Sequence, residues 1–268
     1  MALEIIVCMK PVPDPAHWKE LYLDPVLKTL KREGIPSVIN PLDKHALEEA
    51  LRLKENTEAK VTVISMAPPW AKANIKEALA LGADQGILLC DPLFAGSDTL
   101  ATARVLAKAV SKLSSFDLII MGNISLDGST GQVGPQLAEL LCLHGVTLVK
   151  QVHLLDNRKI RLIRKLETED QVIEARIPLL LTVVKEINTP RYTSLLGILE
   201  AEQKELITWN IKDLDLDPLQ VGLCGSPTQM ADIFMPEVKR RREILEGEPS
   251  HLVSRLLDRL KESGSFKL

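Results

Sequence analysis

Glycine and hydroxyl side chains are concentrated in residues 122–135, the segment of the sequence best suited to binding an anion. Four glycines in thirteen residues allow close backbone approach and positive φ angles, and Ser125, Ser129 and Thr130 offer hydroxyl donors. A helix predicted to follow presents free backbone N–H groups and a positive dipole end to the same segment. This combination predicts phosphate binding, with Asp127 placed to accept from a hydroxyl group or to cap backbone amides. The alternative is a tight strand-to-helix connection without a ligand.

No other pattern of residues predicts catalysis. The chain contains neither a GxGxxG sequence after its first predicted strand nor a GxxxxGK[ST] phosphate loop. Its five histidines are isolated, and neither an HExxH motif nor a nucleophile elbow is present. Cys8, at the end of the first predicted strand, is interpreted as a core residue rather than a reactive thiol. We therefore assign no catalytic residue to the chain.

Short apolar runs alternate with amphipathic segments through the first two-thirds of the chain. Strands are predicted at residues 3–9, 61–66, 86–89 and 118–121, and helices at 43–54, 70–81, 98–113 and 134–141. This alternation predicts a Rossmann-like α/β fold, a mostly parallel sheet with helices on both faces. Because ligands of such sheets bind outside the carboxyl ends of the strands, we expect residues 8–13, 39–43 and 122–135 to converge.

The pattern changes after residue 146. Strand-like segments at 146–155, 159–164, 171–177 and 179–184 follow one another without helices, and a turn signal at 156–157 predicts an antiparallel hairpin beside the parallel sheet. Beyond residue 207 we predict helices only around 236–245 and at 250–261. The second helix is expected to face inward with Leu252, Val253, Leu256, Leu257 and Leu260. We therefore predict a nucleotide-binding domain at 1–210 and a C-terminal arm at 211–268 that folds against a partner.

Composition and charge exclude several classes of function. The chain has 268 residues, 33 Lys and Arg against 36 Asp and Glu, and a net charge of -3, so it lacks the basic bias of a nucleic-acid-binding protein. The longest stretch free of Asp, Glu, Lys and Arg spans residues 218–231 and contains two prolines and two glycines, so no membrane span is expected. The start of the chain does not resemble a secretory signal, and the four cysteines form no CxxC pair. We expect a cytoplasmic protein with reduced thiols and no metal site.

Several motifs, taken in order, resemble those of the electron transfer flavoprotein beta subunit over essentially the whole chain. They are KPVPD at 10–14, NPLD at 40–43, GAD at 82–84, GSDTLAT at 96–102 and DGSTGQVGP at 127–135. RKLE at 164–167, leading to IPLLLT at 177–182, is similar to the family's signature region. The first, fourth and fifth motifs most resemble the electron-bifurcating, Fix-type branch of the family.

The resemblance implies an adenine-nucleotide alpha-hydrolase-like fold whose pocket holds FAD in that branch and AMP in other members. The residues expected to line the adenosine side are Cys8, Asn40, Asp43 and Met66, and those expected near the flavin are Thr99 and Thr102. The ribose and pyrophosphate are expected to contact Gly122, Asn123, Ser125, Asp127, Gly128, Ser129, Thr130, Gly131, Gln132 and Val133. The chain departs from the branch pattern at Pro11, Pro15 and Gly131, and AMP therefore remains the alternative ligand.

The resemblance also implies a partner alpha subunit and the passage of electrons between flavins. With FAD in the pocket, NADH would donate a hydride to it, one electron would pass to a low-potential acceptor such as ferredoxin, and the other to the alpha-subunit flavin. With AMP instead, the heterodimer would carry electrons from a dehydrogenase to a quinone reductase. Residues 188–198 resemble the loop that binds an acyl-CoA dehydrogenase partner, with Leu195 and Leu196 as docking residues. The alternative is that both leucines pack within this chain.

Two functions from other classes also fit the predicted sheet. An adenine-nucleotide-hydrolysing enzyme would usually carry an SGGxDS-type loop after the first strand, where this chain has KPVP at 10–13. A nucleotide-sensing module would not need the C-terminal arm and would be stable alone.

Overall fold

Strands and helices alternate along most of the chain. The computed structural model describes residues 3–20, 22–24, 29–31, 34–155, 158–229, 231 and 243–264. Its strands are β1 (Glu4–Cys8), β2 (Pro11–Pro13), β3 (Tyr22–Asp24), β4 (Thr29–Lys31), β5 (Ser37–Ile39), β6 (Lys60–Met66), β7 (Gln85–Leu89), β8 (Leu118–Gly122), β9 (His144–Leu154), β10 (Lys159–Lys165), β11 (Asp170–Arg176), β12 (Leu179–Val183) and β13 (Glu205–Trp209). Its α-helices are α1 (Pro41–Asn56), α2 (Lys72–Leu81), α3 (Thr99–Lys112), α4 (Val133–Leu140), α5 (Leu195–Ala201) and α6 (Pro249–Glu262). Short 3-10 helices lie at Pro15–Glu20, Pro69–Ala71, Pro92–Phe94, Lys185–Ile187 and Pro218–Gln220.

Nine of the described strands form one sheet, in the order β11-β10-β9-β12-β8-β1-β6-β7-β13. The seven strands from β9 to β13 in this order pair in parallel. Strands β10 and β11 are added next to β9 in antiparallel fashion, and the predicted turn between β9 and β10, at 156–157, lies outside the described residues. The predicted fold, a mostly parallel α/β sheet with an antiparallel addition, is confirmed.

Helices cover both faces of the sheet because successive residues of a strand point to opposite sides. On one face, Val7 of β1 belongs to the same buried cluster as Leu47 of α1 and Leu79 of α2. On the other, Ile6 is in a cluster with Val105 of α3 and Leu137 of α4. Strands buried on both sides need apolar residues at every position, which is why their sequences read as continuous apolar runs.

The sequence predicted neither the short strands β2 to β5 nor two longer elements, strand β13 and helix α5. Strand β13 extends the sheet beyond β7, and its Leu206 and Ile207 are only half-buried because it is an edge strand. Helix α5 is seven residues long and exposes Leu195 and Leu196. Neither element has the buried apolar face that hydrophobic periodicity detects.

The described chain separates into two compact units, residues 1–231 and 232–268. The sequence predicts a boundary near residue 210, whereas the first unit continues to residue 231. Ile211, Leu214 and Val221 are buried in the same cluster as the α3 side of the sheet. No helix is predicted in this stretch because its apolar residues are spaced by turns and not by a regular period.

The second unit is described from residue 243 to residue 264 and contains α6, which confirms the helix predicted at 250–261. Arg259 pairs with Glu262 at 3.0 Å and with Glu243 at 3.3 Å. The apolar face of α6 was expected to point inward, but Val253, Leu256 and Leu257 are exposed, so this expectation is wrong for the second unit. The described residues of this unit contain no second helix on which the face could pack. The helix predicted around 236–245 lies mainly outside the described residues, and residues 243–245 are not helical. Nowhere in the described chain does a helix combine the length and apolar character needed to cross a membrane.

Candidate functional site

The carboxyl ends of β1 and β8 lie side by side near the centre of the sheet. The two strands are parallel neighbours, with Val7 opposite Ile120. The chain leaves β1 through α1 to reach β6 on one side of it, and later returns to β8 on the other side. The order of the strands therefore reverses between β1 and β8. Ligands of open α/β sheets bind in the crevice beyond such a switch point.

The carboxylate of Asp43 spans this switch point. Its Oδ2 accepts from the backbone N–H of Lys10 at 2.8 Å, just beyond β1, and its Oδ1 accepts from the backbone N–H of Gly122 at 2.9 Å, at the end of β8. A Cβ atom at residue 122 would lie only 2.6 Å from Asp43 Oδ1 and 2.7 Å from Leu42 Cβ. Gly122 is therefore required for this close approach between β8 and the first turn of α1.

The side chain of Asn40 makes the second connection between the segments. Its Nδ2 donates to the carbonyl oxygen of Ile124 at 2.9 Å, and its Oδ1 accepts from the backbone N–H of Leu126 at 3.2 Å. Its own backbone N–H donates to the carbonyl oxygen of Lys10 at 2.9 Å. Residues 8–13, 39–43 and 122–135 therefore converge, as the sequence predicted. We call this arrangement of Asp43 and Asn40 the junction.

Both junction residues bond the chain itself. Asn40 and Asp43 are buried, with 1% and 4% of their surface exposed. Their side-chain polar atoms are occupied by backbone groups, so they shape the crevice and hold its edges in place. Direct contact of Asn40, Asp43 or the buried Cys8 with an adenosine stays a prediction.

Burial also sets the protonation of two groups here. It raises the pKa of Asp43 to about 6, against the lowering effect of the N–H donors of Lys10 and Gly122. Burial, reinforced by the charge of Asp43, raises the pKa of Cys8 to about 12. Cys8 is therefore a neutral thiol at physiological pH, which supports its interpretation as a core residue.

The glycine-rich segment runs from β8 to α4, and we call residues 123–132 the bend. Ser129 and Gly131 have φ angles of 48° and 65°, and the backbone N–H of Ser129 donates to the carbonyl oxygen of Ser125 at 2.9 Å. No described residue accepts a hydrogen bond from the backbone N–H of Thr130 or Gly131, and α4 begins without a side-chain cap. Ser129 and Thr130 are exposed. The bend thus presents backbone and hydroxyl donors to the solvent side of the crevice.

A lysine crosses the mouth of the crevice. Lys10 Nζ lies 2.7 Å from Asp127 Oδ1, with 46% of the lysine side chain exposed and 10% of the aspartate side chain. A Cβ atom at Gly128 would lie 3.3 Å from Ser125 Oγ and 3.9 Å from Lys10 Nζ. A side chain at residue 128 would therefore crowd Ser125 beside the ion pair, and glycine avoids this. Lys10 is not among the predicted site residues, although its position just beyond the end of β1 places it at the carboxyl edge of the sheet.

The start of α3 reaches the bend from the neighbouring part of the sheet. Thr99 Oγ1 donates to Gln132 Oε1 at 3.1 Å, which joins two predicted site residues. Thr102 is half-buried in the first turn of α3, and Met66 is half-buried at the end of β6. The roles predicted for Thr102 and Met66 near a nucleotide stay predictions.

The two predicted docking leucines project from α5. Leu195 and Leu196 are 77% and 65% exposed, so the alternative that they pack within the described part of this chain is wrong. Ser194 caps α5 by accepting from the backbone N–H of Gly197 at 2.9 Å. A Cβ atom at Gly197 would lie 2.2 Å from the carbonyl oxygen of Ala80, so glycine is what allows α5 to lie directly against α2.

The segment before α5 is fixed to α1 by charged groups that the sequence did not reveal. The Arg191 guanidinium donates to Glu48 Oε2 at 2.8 Å through Nε and also to Glu55. Burial raises the pKa of Glu48, but its bonds from Arg191 and Arg52 outweigh that effect and hold the pKa below its usual value. Asn188 Nδ2 donates to Glu49 Oε2 at 3.0 Å. The partners are about 140 residues apart in sequence, so no local pattern could pair them.

Comparison with known proteins gives a consistent assignment. Residues 28–214 match the family model described as "Electron transfer flavoprotein domain". The chain is 46% identical over 259 residues to the electron transfer flavoprotein subunit beta of Thermoanaerobacterium thermosaccharolyticum, covering 96% of this chain and 98% of the relative. It is 41% identical to subunit CarD of the caffeyl-CoA reductase-Etf complex of Acetobacterium woodii, covering 97% and 98%. It is 38% identical to protein FixA of Azorhizobium caulinodans, covering 90% and 87%.

These matches span nearly the whole chain, including the junction, the bend and α5. They agree with the parallel sheet and its switch point, and they indicate a function in electron transfer. The chain belongs to the electron transfer flavoprotein family, among the beta subunits that are similar to CarD and FixA proteins.

Proposed function

We propose that the crevice between the junction and the bend binds FAD, and that the chain acts with an alpha subunit in flavin-based electron bifurcation. In this proposal NADH is the electron donor, ferredoxin is the low-potential acceptor, and an acyl-CoA dehydrogenase-type protein is the partner at α5. The observation that carries the proposal is the convergence of three chain segments on a bend with free N–H donors. The similarity to CarD, whose name assigns it to a caffeyl-CoA reductase complex, supports an acyl-CoA-linked partner.

The donor groups of the crevice suit a phosphate. Phosphate oxygens accept hydrogen bonds from backbone N–H groups, hydroxyls and ammonium groups. The bend supplies N–H groups at Thr130 and Gly131 and a hydroxyl at Thr130, while the Ser129 hydroxyl donates to the carbonyl oxygen of Ser125 at 3.2 Å. Lys10 supplies an ammonium group. Residue 128 is a glycine, so no side chain at that position would shield these groups from a phosphate. The residues present therefore fit the diphosphate of FAD or the monophosphate of AMP.

A bound flavin would supply the redox chemistry, and the chain would supply binding, position and electrostatics. The bend would hold the phosphates by its N–H groups, while the junction would keep the bend at a fixed distance from β1. Thr99, which already bonds Gln132 at the end of the bend, would place a hydroxyl beside the part of the ligand that extends toward α3. None of these roles requires the chain to donate or accept a proton.

AMP in the same crevice is the second candidate. The same donors bind a monophosphate, and the chain departs from the pattern of the bifurcating branch at Pro11, Pro15 and Gly131. With AMP the heterodimer would be a carrier with a single flavin that accepts electrons from a dehydrogenase, and no bifurcation would occur.

Nucleotide extraction from the co-expressed heterodimer decides between the two ligands. The full-length chain and its alpha subunit are purified together, denatured, and analysed by chromatography for FAD and AMP. Two FAD for each alpha-beta pair is the expected result. One FAD and one AMP rejects bifurcation but keeps a nucleotide in the crevice, and one FAD without AMP rejects the nucleotide site itself.

The remaining surfaces are proposed to bind proteins. The exposed leucines of α5 would dock the acyl-CoA dehydrogenase-type partner by burying apolar surface. The exposed apolar face of α6 would belong to the arm that packs on the alpha subunit, since an amphipathic helix with an uncovered face gains stability by burying it.

A further inference from the structure

The charge of the crevice is carried by very few side chains. The three segments that form it, residues 8–13, 39–43 and 122–135, contain one cation, Lys10, and two carboxylates, Asp43 and Asp127. A phosphate entering this crevice would meet two like charges and one opposite charge. Lys10 is therefore the one side chain of these three segments whose charge attracts an anion.

The backbone of Lys10 is held in place on both sides. Its N–H donates to Asp43 Oδ2 at 2.8 Å, and its carbonyl oxygen accepts from the N–H of Asn40 at 2.9 Å. The following Pro11 further limits the backbone, because its ring fixes φ. The side chain thus starts from a fixed point and can vary only in its own rotamers.

The ammonium group of Lys10 still has capacity to bind a ligand. It carries three N–H donors, and among the described residues Asp127 is its one hydrogen-bond acceptor, at 2.7 Å. Nearly half of the lysine side chain is exposed to solvent. A phosphate oxygen approaching from the solvent side could therefore bond one of the remaining donors of Lys10 without breaking the ion pair with Asp127.

We propose that Lys10 is a phosphate-binding residue of this crevice, whose ammonium group makes the site select phosphorylated nucleotides over nucleosides. The inference rests on the proposed nucleotide site and adds to it the residue that recognises the anion. The backbone donors of the bend would bind any acceptor, whereas the ammonium group favours a charged one.

The test compares AMP with adenosine, two ligands that differ only in the phosphate. Binding of each to the nucleotide-depleted full-length chain is measured by titration calorimetry for the wild type, Lys10→Gln and Lys10→Arg. Lys76→Gln is the matched control, because Lys76 also forms a 2.7 Å ion pair, with Glu202, and is 49% exposed. Circular dichroism and thermal unfolding establish that each variant is folded.

We expect Lys10→Gln to weaken AMP binding about tenfold or more while adenosine binding changes by no more than about twofold. Lys10→Arg should retain most of the AMP affinity, and Lys76→Gln should change neither ligand. Raising the salt concentration should weaken AMP binding to the wild type more than to Lys10→Gln.

Two results would overturn the proposal for Lys10 alone. AMP binding that is unchanged in Lys10→Gln would show that the ammonium group does not contact the phosphate. An equal loss of AMP and adenosine would show a role confined to the shape of the crevice. If the folded wild type bound neither ligand, the nucleotide site itself would be rejected, and the proposal for Lys10 with it.

Discussion

Asp43 Oδ1 accepts a hydrogen bond from the backbone N–H of Gly122 at 2.9 Å, which ties the first turn of α1 to the end of β8. The same carboxylate bonds the backbone N–H of Lys10 beyond β1. One buried side chain therefore fixes the relative positions of two strand ends and a helix start. The bend begins directly after Gly122. The position at which it can hold a ligand therefore depends on the hydrogen bond between Asp43 and Gly122.

Asp43→Asn should lower the nucleotide content of the purified protein. Asparagine keeps one accepting oxygen but turns an NH2 group toward the other backbone N–H, so one of the two hydrogen bonds is lost and two donors oppose each other. The loss of a hydrogen bond to a charged group costs about 1–3 kcal/mol. Part of this cost lowers the free energy of unfolding, and the rest weakens nucleotide binding. Nucleotide extraction per mole of folded protein measures the effect.

Asp117→Asn is the matched control for that variant. Asp117 is also buried, and its Oδ2 accepts from the backbone N–H of Glu4 at 2.9 Å. It joins the amino ends of β1 and β8, at the edge of the sheet opposite the crevice. This variant should lose stability and keep its nucleotide, so equal nucleotide loss in both variants would count against the junction.

The stability of the folded chain should depend on the protonation of Asp43. Burial raises its pKa from the ordinary 3.8 to about 6, so the folded chain binds this proton more tightly than the unfolded chain does. The free energy of unfolding contributed by Asp43 therefore falls as pH rises from about 4 to about 6 and is constant above that. Between about pH 4 and about pH 6, the free energy of unfolding of the wild type should fall by about 3 kcal/mol relative to that of Asp43→Asn. Urea unfolding at several pH values tests this, and parallel curves for the two proteins would contradict it.

Thr130→Val should weaken nucleotide binding with little effect on the fold. Valine has nearly the same shape but lacks the hydroxyl, and Thr130 is exposed on the bend. Loss of one hydroxyl hydrogen bond should cost about 1 kcal/mol, or about fivefold in affinity. Thr208→Val on the edge strand β13, where the threonine is also exposed, serves as control. Unaltered affinity in Thr130→Val would remove this hydroxyl from the site.

Leu195→Ala and Leu196→Ala should separate docking from stability. Because both side chains are largely exposed, each substitution should change the free energy of unfolding by less than about 0.5 kcal/mol. Electron transfer with an acyl-CoA dehydrogenase-type partner should show a KM raised about fivefold or more with kcat nearly unchanged, because a docking contact is lost and no redox group moves. Leu219→Ala, at a leucine 74% exposed, is the control. A KM equal to that of the wild type would assign the docking surface elsewhere.

A chain ending at residue 231 should fold but fail to assemble with the alpha subunit. It keeps the first compact unit whole, including Ile211, Leu214 and Val221, which a truncation at residue 210 would remove from the core. It lacks α6 and the exposed apolar face of that helix. Circular dichroism reports the fold, and co-purification reports assembly. A truncated chain that still recovered the alpha subunit would refute the role of the arm.

The sequence was sufficient to predict the parallel sheet and the meeting of three segments at its carboxyl edge. Strands buried on both faces must be apolar throughout, and a bend with four glycines is unusual enough to stand out. The predicted roles of Asp43 and Asn40 at a ligand stay predictions, whereas their hydrogen bonds to the backbone of Gly122, Lys10, Ile124 and Leu126 were not predicted from the sequence. Side-chain bonds to distant backbone leave no local pattern in a sequence.

The pairing of Arg191 with Glu48 was equally inaccessible to sequence reasoning. Both residues lie in segments with many other charges, and only the fold selects this pair. The edge strand β13 and the short helix α5 escaped prediction for a different reason. Their apolar side chains are half-buried or exposed, so their periodicity does not identify a buried face.

A crystal structure of the heterodimer as purified from cells tests the central claim most directly. We expect a phosphate in the crevice, with its oxygens within about 3 Å of the backbone N–H groups of Thr130 and Gly131 and of Lys10 Nζ. A bend closed by its own side chains, in a protein whose nucleotide is bound elsewhere, would contradict the site and the flavin-binding function proposed for it.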